Sequence, residues 1–205
     1  MTTQPALFFN VRVLTDHMRE VASANATRIP QYLRNEVREA MLIELSTLAL
    51  QTAEAETGPY RITQDYQFKN SFEPGSLFVS IASALSQQLN TACAGTSSPH
   101  LSTPLQFNDL VVQRYHTTNQ GIGVHRDGAR YHGLVALLVL EGEGEFFLCD
   151  DREGNNPRAI ENRAGDLLLL RAPGFAGADI QPFHYVGKVP QSRTSFALRH
   201  DSRKK

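Results

Sequence analysis

The chain has 205 residues, enough for one domain with a sizeable core, and its 41% hydrophobic and 20% charged content is that of a globular protein. A formal net charge of -1 lacks the bulk basic signature of a nucleic-acid or membrane-surface binder. No stretch of roughly 18 consecutive apolar residues occurs, and the opening residues lack a basic segment followed by an apolar one, so no membrane span or secretory leader is expected and a cytoplasmic location is. Cys93 and Cys149 stand far apart without CxxC spacing and read as reduced, partly buried thiols.

In chain order, residues 1–104 read as a mostly helical region that supports the remainder. Leu33, Val37, Met41, Leu45 and Leu48 recur at intervals of three and four, which predicts one amphipathic helix over 29–57, with Pro30 near its start and Gly58-Pro59 at its end. Leu77, Phe78, Ile81, Leu85 and Leu89 predict a second helix over 75–91. Residues 94–104, rich in Ser, Thr, Gly and Pro, read as a connecting loop.

Residues 105–202 have the texture of short strands between turn residues. Strands are expected at 109–115, 122–125, 134–140, 145–149, 158–160, 167–171, 183–186 and 193–199. Eight such strands predict an α+β fold with a jelly-roll, cupin-like core and the N-terminal helices packed on its larger sheet. The runs 134–140 and 167–170 are apolar throughout, as strands covered on both faces are.

The chemistry starts at Gly123-Val124-His125-Arg126-Asp127. On an extended chain residues i and i+2 share a face, so His125 and Asp127 converge and can offer two neighbouring ligands to one metal. A protein-kinase reading of His-Arg-Asp fails, since neither an Asp-Phe-Gly nor a glycine-rich loop accompanies it. His184, late in the strand region, can return beside this pair. Two histidines and one carboxylate then make a facial triad with open positions for Fe(II) chemistry. Nine residues further, Arg193, Ser195, Ala197 and Arg199 alternate with Thr194, Phe196 and Leu198. Arginines and a serine on the inner face of a strand suit a bound dianion, because the guanidinium fork matches a carboxylate and the hydroxyl adds a donor. The plain alternative for Arg199 is a solvated charge near the chain end.

The order HxD, about 57 residues, His, about nine residues, RxS resembles the Fe(II)/2-oxoglutarate-dependent oxygenase superfamily over residues 108–202. The resemblance implies a double-stranded β-helix core. It also implies that His125, Asp127 and His184 ligate Fe(II), that Arg193 pairs with the distal carboxylate of 2-oxoglutarate with help from Ser195, and that O2 is consumed. Oxidative decarboxylation to succinate and carbon dioxide would drive substrate oxidation. Tyr115 and Gln113, on one face of their strand, resemble the co-substrate-contacting positions of the AlkB-like branch, as does Arg199, six residues after Arg193. The chain differs from that branch at Ser195, where Asn is usual, and in its short interval from His184 to Arg193.

For the substrate, Arg130, Tyr131 and His132, in the segment just after the ligands, are candidate contacts for a polar or anionic group, and the turn at 171–175 is a candidate pocket wall. His100 and His116 have no ligand-like spacing, and Asp150-Asp151 reads as a solvated turn. Three functional classes follow. The first is a dioxygenase acting on a small molecule. The second, an AlkB-like dealkylase of nucleic acid or a modified base, is weakened by the near-neutral charge and by Ser195. The third is a non-enzymatic jelly-roll binding protein, against which a complete ligand set with open positions argues.

Overall fold

The computed structural model describes residues 7–10, 14–95, 100–117 and 120–204. Among these, three helices and thirteen strands occur, and the strands form two antiparallel sheets. The helices are α1 (Thr15–Ala24), α2 (Asn35–Ser46) and α3 (Leu77–Ala94). The first five strands are β1 (Ala26–Ile29), β2 (Gln51–Thr52), β3 (Glu56–Thr57), β4 (Ile62–Asp65) and β5 (Gln67–Lys69). Eight more follow: β6 (Asp109–Tyr115), β7 (Gly121–His125), β8 (Leu134–Glu141), β9 (Glu143–Cys149), β10 (Arg158–Arg163), β11 (Leu167–Arg171), β12 (Phe183–Val186) and β13 (Arg193–Arg199).

The larger sheet runs β1-β11-β8-β13-β6-β5-β2 and the smaller β10-β9-β12-β7-β4-β3. The eight strands after residue 105 supply four consecutive neighbours to each sheet, as a jelly roll would. Their positions agree with the sequence pattern to within one to three residues at each end. The period of two decides which way each residue faces. Leu134, Ala136, Leu138 and Leu140 of β8 join Phe196 and Leu198 of β13 and the buried faces of all three helices in one core. Val135, Leu137, Val139 and Ala197 join Tyr115, Phe146 and Leu148 in a second core between the sheets. The helices therefore lie on the outer face of the larger sheet, which is why β8 and β11 are apolar on both faces.

The N-terminal half differs from the expected long helix. α2 begins at Asn35 and stops at Ser46, because the Ser46 and Thr47 hydroxyls donate to the Ile43 and Glu44 carbonyls at 2.7 and 2.8 Å and end the ladder. Val37, Met41, Leu45 and Leu48 still pack into the outer core, so the periodicity marked the buried face correctly but not the helix ends. Residues 26–29, 51–52, 56–57, 62–65 and 67–69 are strands that extend the edges of both sheets. α1 also went unpredicted, its polar sequence burying Met18 and Val21 in the core with Ala22 packed beside them. Part of the expected loop at 94–104 lies outside the described residues. None of the described helices is long and apolar enough to cross a membrane. Cys93 and Cys149 are both buried, free thiols.

The turn between β10 and β11 is tied down by Asp166, whose side chain is fully buried. Its carboxylate accepts from the Gln31 and Arg163 backbone N–H groups at 3.0 and 2.9 Å and from Arg28 Nε at 2.7 Å. Asp166→Ala would leave two backbone donors unmet and take one of two carboxylate partners from the partly buried Arg28. It should cost about 3–5 kcal/mol in chemical denaturation. Asp16→Ala, which removes an exposed i,i+3 pair with Arg19, should change stability by less than about 0.5 kcal/mol.

Candidate metal centre and anion pocket

β7 and β12 are neighbours in the smaller sheet, and their register sets His125 directly opposite His184. Both rings face the space between the sheets, 4.3 Å apart, and the Phe146 ring stacks on His184 at 5.5 Å. Asp127 follows just past the end of β7. One ligand atom from each of His125, Asp127 and His184 lies within 4.8 Å of the others. The Nδ1 atoms of His125 and His184 meet the Gly123 and Pro182 carbonyls at 2.8 and 3.2 Å. An Nδ1–H donated to a carbonyl leaves the Nε2 lone pair for an ion.

The electrostatics also suit a cation. Burial lowers both histidines, and His184, further depressed by His125, is brought down to about 4, so both rings are neutral at pH 7. Burial alone would raise the Asp127 carboxyl, but Arg199, His184 and His125 outweigh it and hold the group below the usual carboxylate range. Arg199 Nε donates to Asp127 Oδ1 at 3.1 Å, and the second oxygen remains for a metal. Two neutral imidazoles and one carboxylate on one side of an ion fit a divalent transition metal with positions left open.

Across the gap, the larger sheet contributes β13. Arg193, Ser195 and Ala197 face the smaller sheet, while Phe196 and Leu198 face the helices. Arg193 is only 1% exposed, yet among the described residues no carboxylate pairs with it. Its Nε and Nη2 both donate to Asn162 Oδ1 at 3.2 Å, its Nη1 to Ser195 Oγ at 3.3 Å, and the Tyr115 ring lies 5.5 Å away. Asn162 is itself anchored, donating to the Gly144 carbonyl at 2.7 Å. Gly144 leaves room for the guanidinium: a Cβ there would stand 2.7 Å from Arg193 Cδ. A buried cation held by neutral acceptors is the expected form of a pocket that takes an anion.

One cavity of about 870 Å³ joins the two halves. His125, Asp127, His184, Gln113, Tyr115, Arg193 and Arg199 all line it, as do Arg130 and Tyr131. Arg199 is therefore not a solvated terminal charge; its guanidinium is buried against Asp127. Tyr131 donates to Asp109 at 2.7 Å and accepts from Arg130 at 2.5 Å, and Asp201 pairs with Arg130 at 2.9 Å, off the N–H axis. His132 and residues 171–175 do not line the cavity. His132 instead donates its backbone N–H to the His200 carbonyl at 3.0 Å. Asn162 and Gly144 were not among the residues expected from the sequence: Asn162 lies beyond the strand expected at 158–160, and no local pattern marks it. The wall built by residues 51–70, including Tyr66, was not foreseen either: residues 51–57 fell within the expected first helix and residues 58–70 between the two expected helices.

No family model matches the sequence, and comparison with curated proteins gives no match. Solved structures do match. A Pseudomonas putida prolyl-4-hydroxylase is similar with TM-score 0.67 and 17% identity, over 93% of this chain and 100% of that one. HygX from Streptomyces hygroscopicus, solved with nickel and 2-oxoglutarate bound, gives TM-score 0.61 and 14% identity over 90% and 85%. OsALKBH1 gives 0.58 and 13% over 86% and 98%. The chain has the fold on which these 2-oxoglutarate-Fe(II) oxygenase structures are built.

Two measurements test the site as described. His184 sits near 4 when folded and about 6.5 when unfolded, so the unfolded chain binds more protons between those values. The His184 contribution to the stability of the metal-free protein should be flat above pH 6.5 and fall by about 3 kcal/mol toward pH 4. His184→Gln should remove most of that slope, and an unchanged slope would place the responsible group elsewhere. Gly144→Ala should cost about 1–3 kcal/mol by crowding Arg193, read as a lowered denaturation midpoint.

Proposed function

We propose that this chain is a non-haem Fe(II)- and 2-oxoglutarate-dependent dioxygenase with a double-stranded β-helix core, oxidising a small molecule. The observation that carries this reading is Arg193. It is a fully buried guanidinium without a carboxylate partner among the described residues, and it faces the same cavity as a His-Asp-His ligand set. His125, Asp127 and His184 would hold the iron, whose chemistry is the activation of O2 coupled to decarboxylation of the oxo acid. Arg193 would take the distal carboxylate with its fork, and Ser195 would hold the fork in place. Tyr115 and Gln113 would flank the co-substrate, and Arg199 would keep Asp127 ionised and turned to the metal. Arg130 and Tyr131 remain the substrate-contact candidates among those read from sequence, since His132 lies outside the cavity wall. The balance of the cavity, lined by Gln51, Gln64, Phe68 and Asn70 among others, is left for a substrate.

A second reading, an AlkB-like dealkylase of a modified base, is favoured by Arg199. It stands six residues after Arg193 and is buried against the carboxylate ligand. The near-neutral charge of the chain weighs against a polyanionic substrate.

Anaerobic titration with Fe(II) and then 2-oxoglutarate tests the proposal. One metal per chain and saturable binding of the oxo acid are expected. His125→Ala, Asp127→Ala and His184→Ala should each abolish succinate formation and weaken metal binding while the chain stays folded. Arg193→Ala should weaken 2-oxoglutarate roughly 30- to several-thousand-fold with metal affinity nearly intact, and Arg193→Lys should recover part of it. Metal affinity unchanged in all three ligand variants would refute the centre. Succinate release driven by an N-methylated oligonucleotide but by no small molecule would favour the second reading.

A further inference from the structure

Within residues 62–69 the chain passes from one sheet to the other. Asp65 ends β4, paired with Gly121 in the smaller sheet, and Gln67 begins β5, paired with Arg114 in the larger. Tyr66 is the one residue between, and its backbone is fixed from both sides. Its ring lies 5.3 Å from that of Tyr115, which in turn lies 5.5 Å from the Arg193 guanidinium carbon. These three side chains line the cavity in a row: a cation, a buried ring and a partly buried ring. The Tyr66 phenol donates to Gln64 Oε1 at 2.6 Å and takes a hydrogen bond from the Gln113 side chain. It also lies near enough to Arg199 and Asp127 to feel both charges.

We infer that Tyr66 is a positioning residue for the oxo-acid co-substrate, holding the Gln113 amide in one orientation and closing the cavity beside Tyr115 and Arg193. The inference rests on the proposed function. A primary amide has two N–H donors and a carbonyl, and without a fixed neighbour it can turn either way. The phenol oxygen accepts one N–H, so the second can meet an anionic oxygen in the cavity. The ring meanwhile packs on Tyr115, the ring beside the guanidinium, and so backs the wall against which Arg193 would pair with an anion. A tyrosine that merely braced the two sheets would not act this way. Its loss would lower stability and leave co-substrate binding alone, because β4 and β5 hold the sheets through their backbones.

The test measures dissociation constants for Ni(II) and then for 2-oxoglutarate on the nickel-loaded protein, together with thermal midpoints, for the parent, Tyr66→Phe and Tyr66→Ala. Tyr66→Phe keeps the ring and loses one hydrogen bond, so 2-oxoglutarate should weaken about 3- to 10-fold with the midpoint nearly unchanged. Tyr66→Ala should weaken it more than about 30-fold, with nickel affinity within about threefold of the parent. If both variants bind 2-oxoglutarate within about twofold of the parent, the inference is overturned. Parallel loss of nickel, 2-oxoglutarate and stability in the Phe variant would also overturn it, in favour of the brace. A parent that takes nickel but no 2-oxoglutarate refutes the proposed co-substrate itself, a separate failure that this comparison identifies before any variant is measured.

Discussion

Burying an arginine between two sheets without an acid beside it is costly, and much of the architecture between those sheets answers to that constraint. Arg193 lies on the inner face of β13, at the centre of the larger sheet, where no water shell can serve it. Its donors are met by an amide oxygen, a hydroxyl and an aromatic face, all neutral. Asn162 can serve because its own amide is tied to the Gly144 carbonyl, and Gly144 must lack a side chain for the guanidinium to lie against β9. Two strands of the smaller sheet are thus shaped around one residue of the larger. The positive charge left over is available to something that is not protein.

Why the second half of the chain was legible follows from its periodicity. The larger-sheet strands β6, β8, β11 and β13 lie between two cores or between a core and the site, and the smaller-sheet strands turn one face to the gap, so burial dictates which positions are apolar. In β13 the alternation separates Arg193 and Ser195 from Phe196 and Leu198, and a slip of one residue would drive both arginines under the helices. The HxD pair, the late histidine and the RxS strand could be placed because their functional side chains must share the inner face. The structure sets them around one cavity.

The first half was harder to read. β2 to β5 are two to four residues long, partly or fully exposed, and held chiefly by pairing with an existing sheet edge. Such segments carry little pattern of their own. The apolar spacing of α2 continues past its end to Leu48, so periodicity alone could not see that two hydroxyls terminate it. Asn162 illustrates a different gap. Its role depends on a strand thirty residues away, and nothing local distinguishes it from a surface Asn.

The charges of the cavity suggest why metal and co-substrate would bind together on the proposed reading. Asp127 is ionised and both histidines are neutral, while Arg193 and Arg199 are cationic. Of the other charged residues lining the cavity, Arg130 and Asp109 are paired with Asp201 and Lys204, and Glu54 and Arg126 cancel in sign. The inner cluster therefore carries one net positive charge. A divalent ion alone would triple that charge, and a dianion alone would reverse it. Both together restore the original value. In a low-dielectric gap each unbalanced state is penalised, so each ligand lessens the cost of admitting the other. The ligands for the cation come from the smaller sheet and the donors for the anion from the larger. Their mutual assistance then requires that the two sheets keep their spacing, which β4, Tyr66 and β5 fix at this edge by joining one sheet directly to the other.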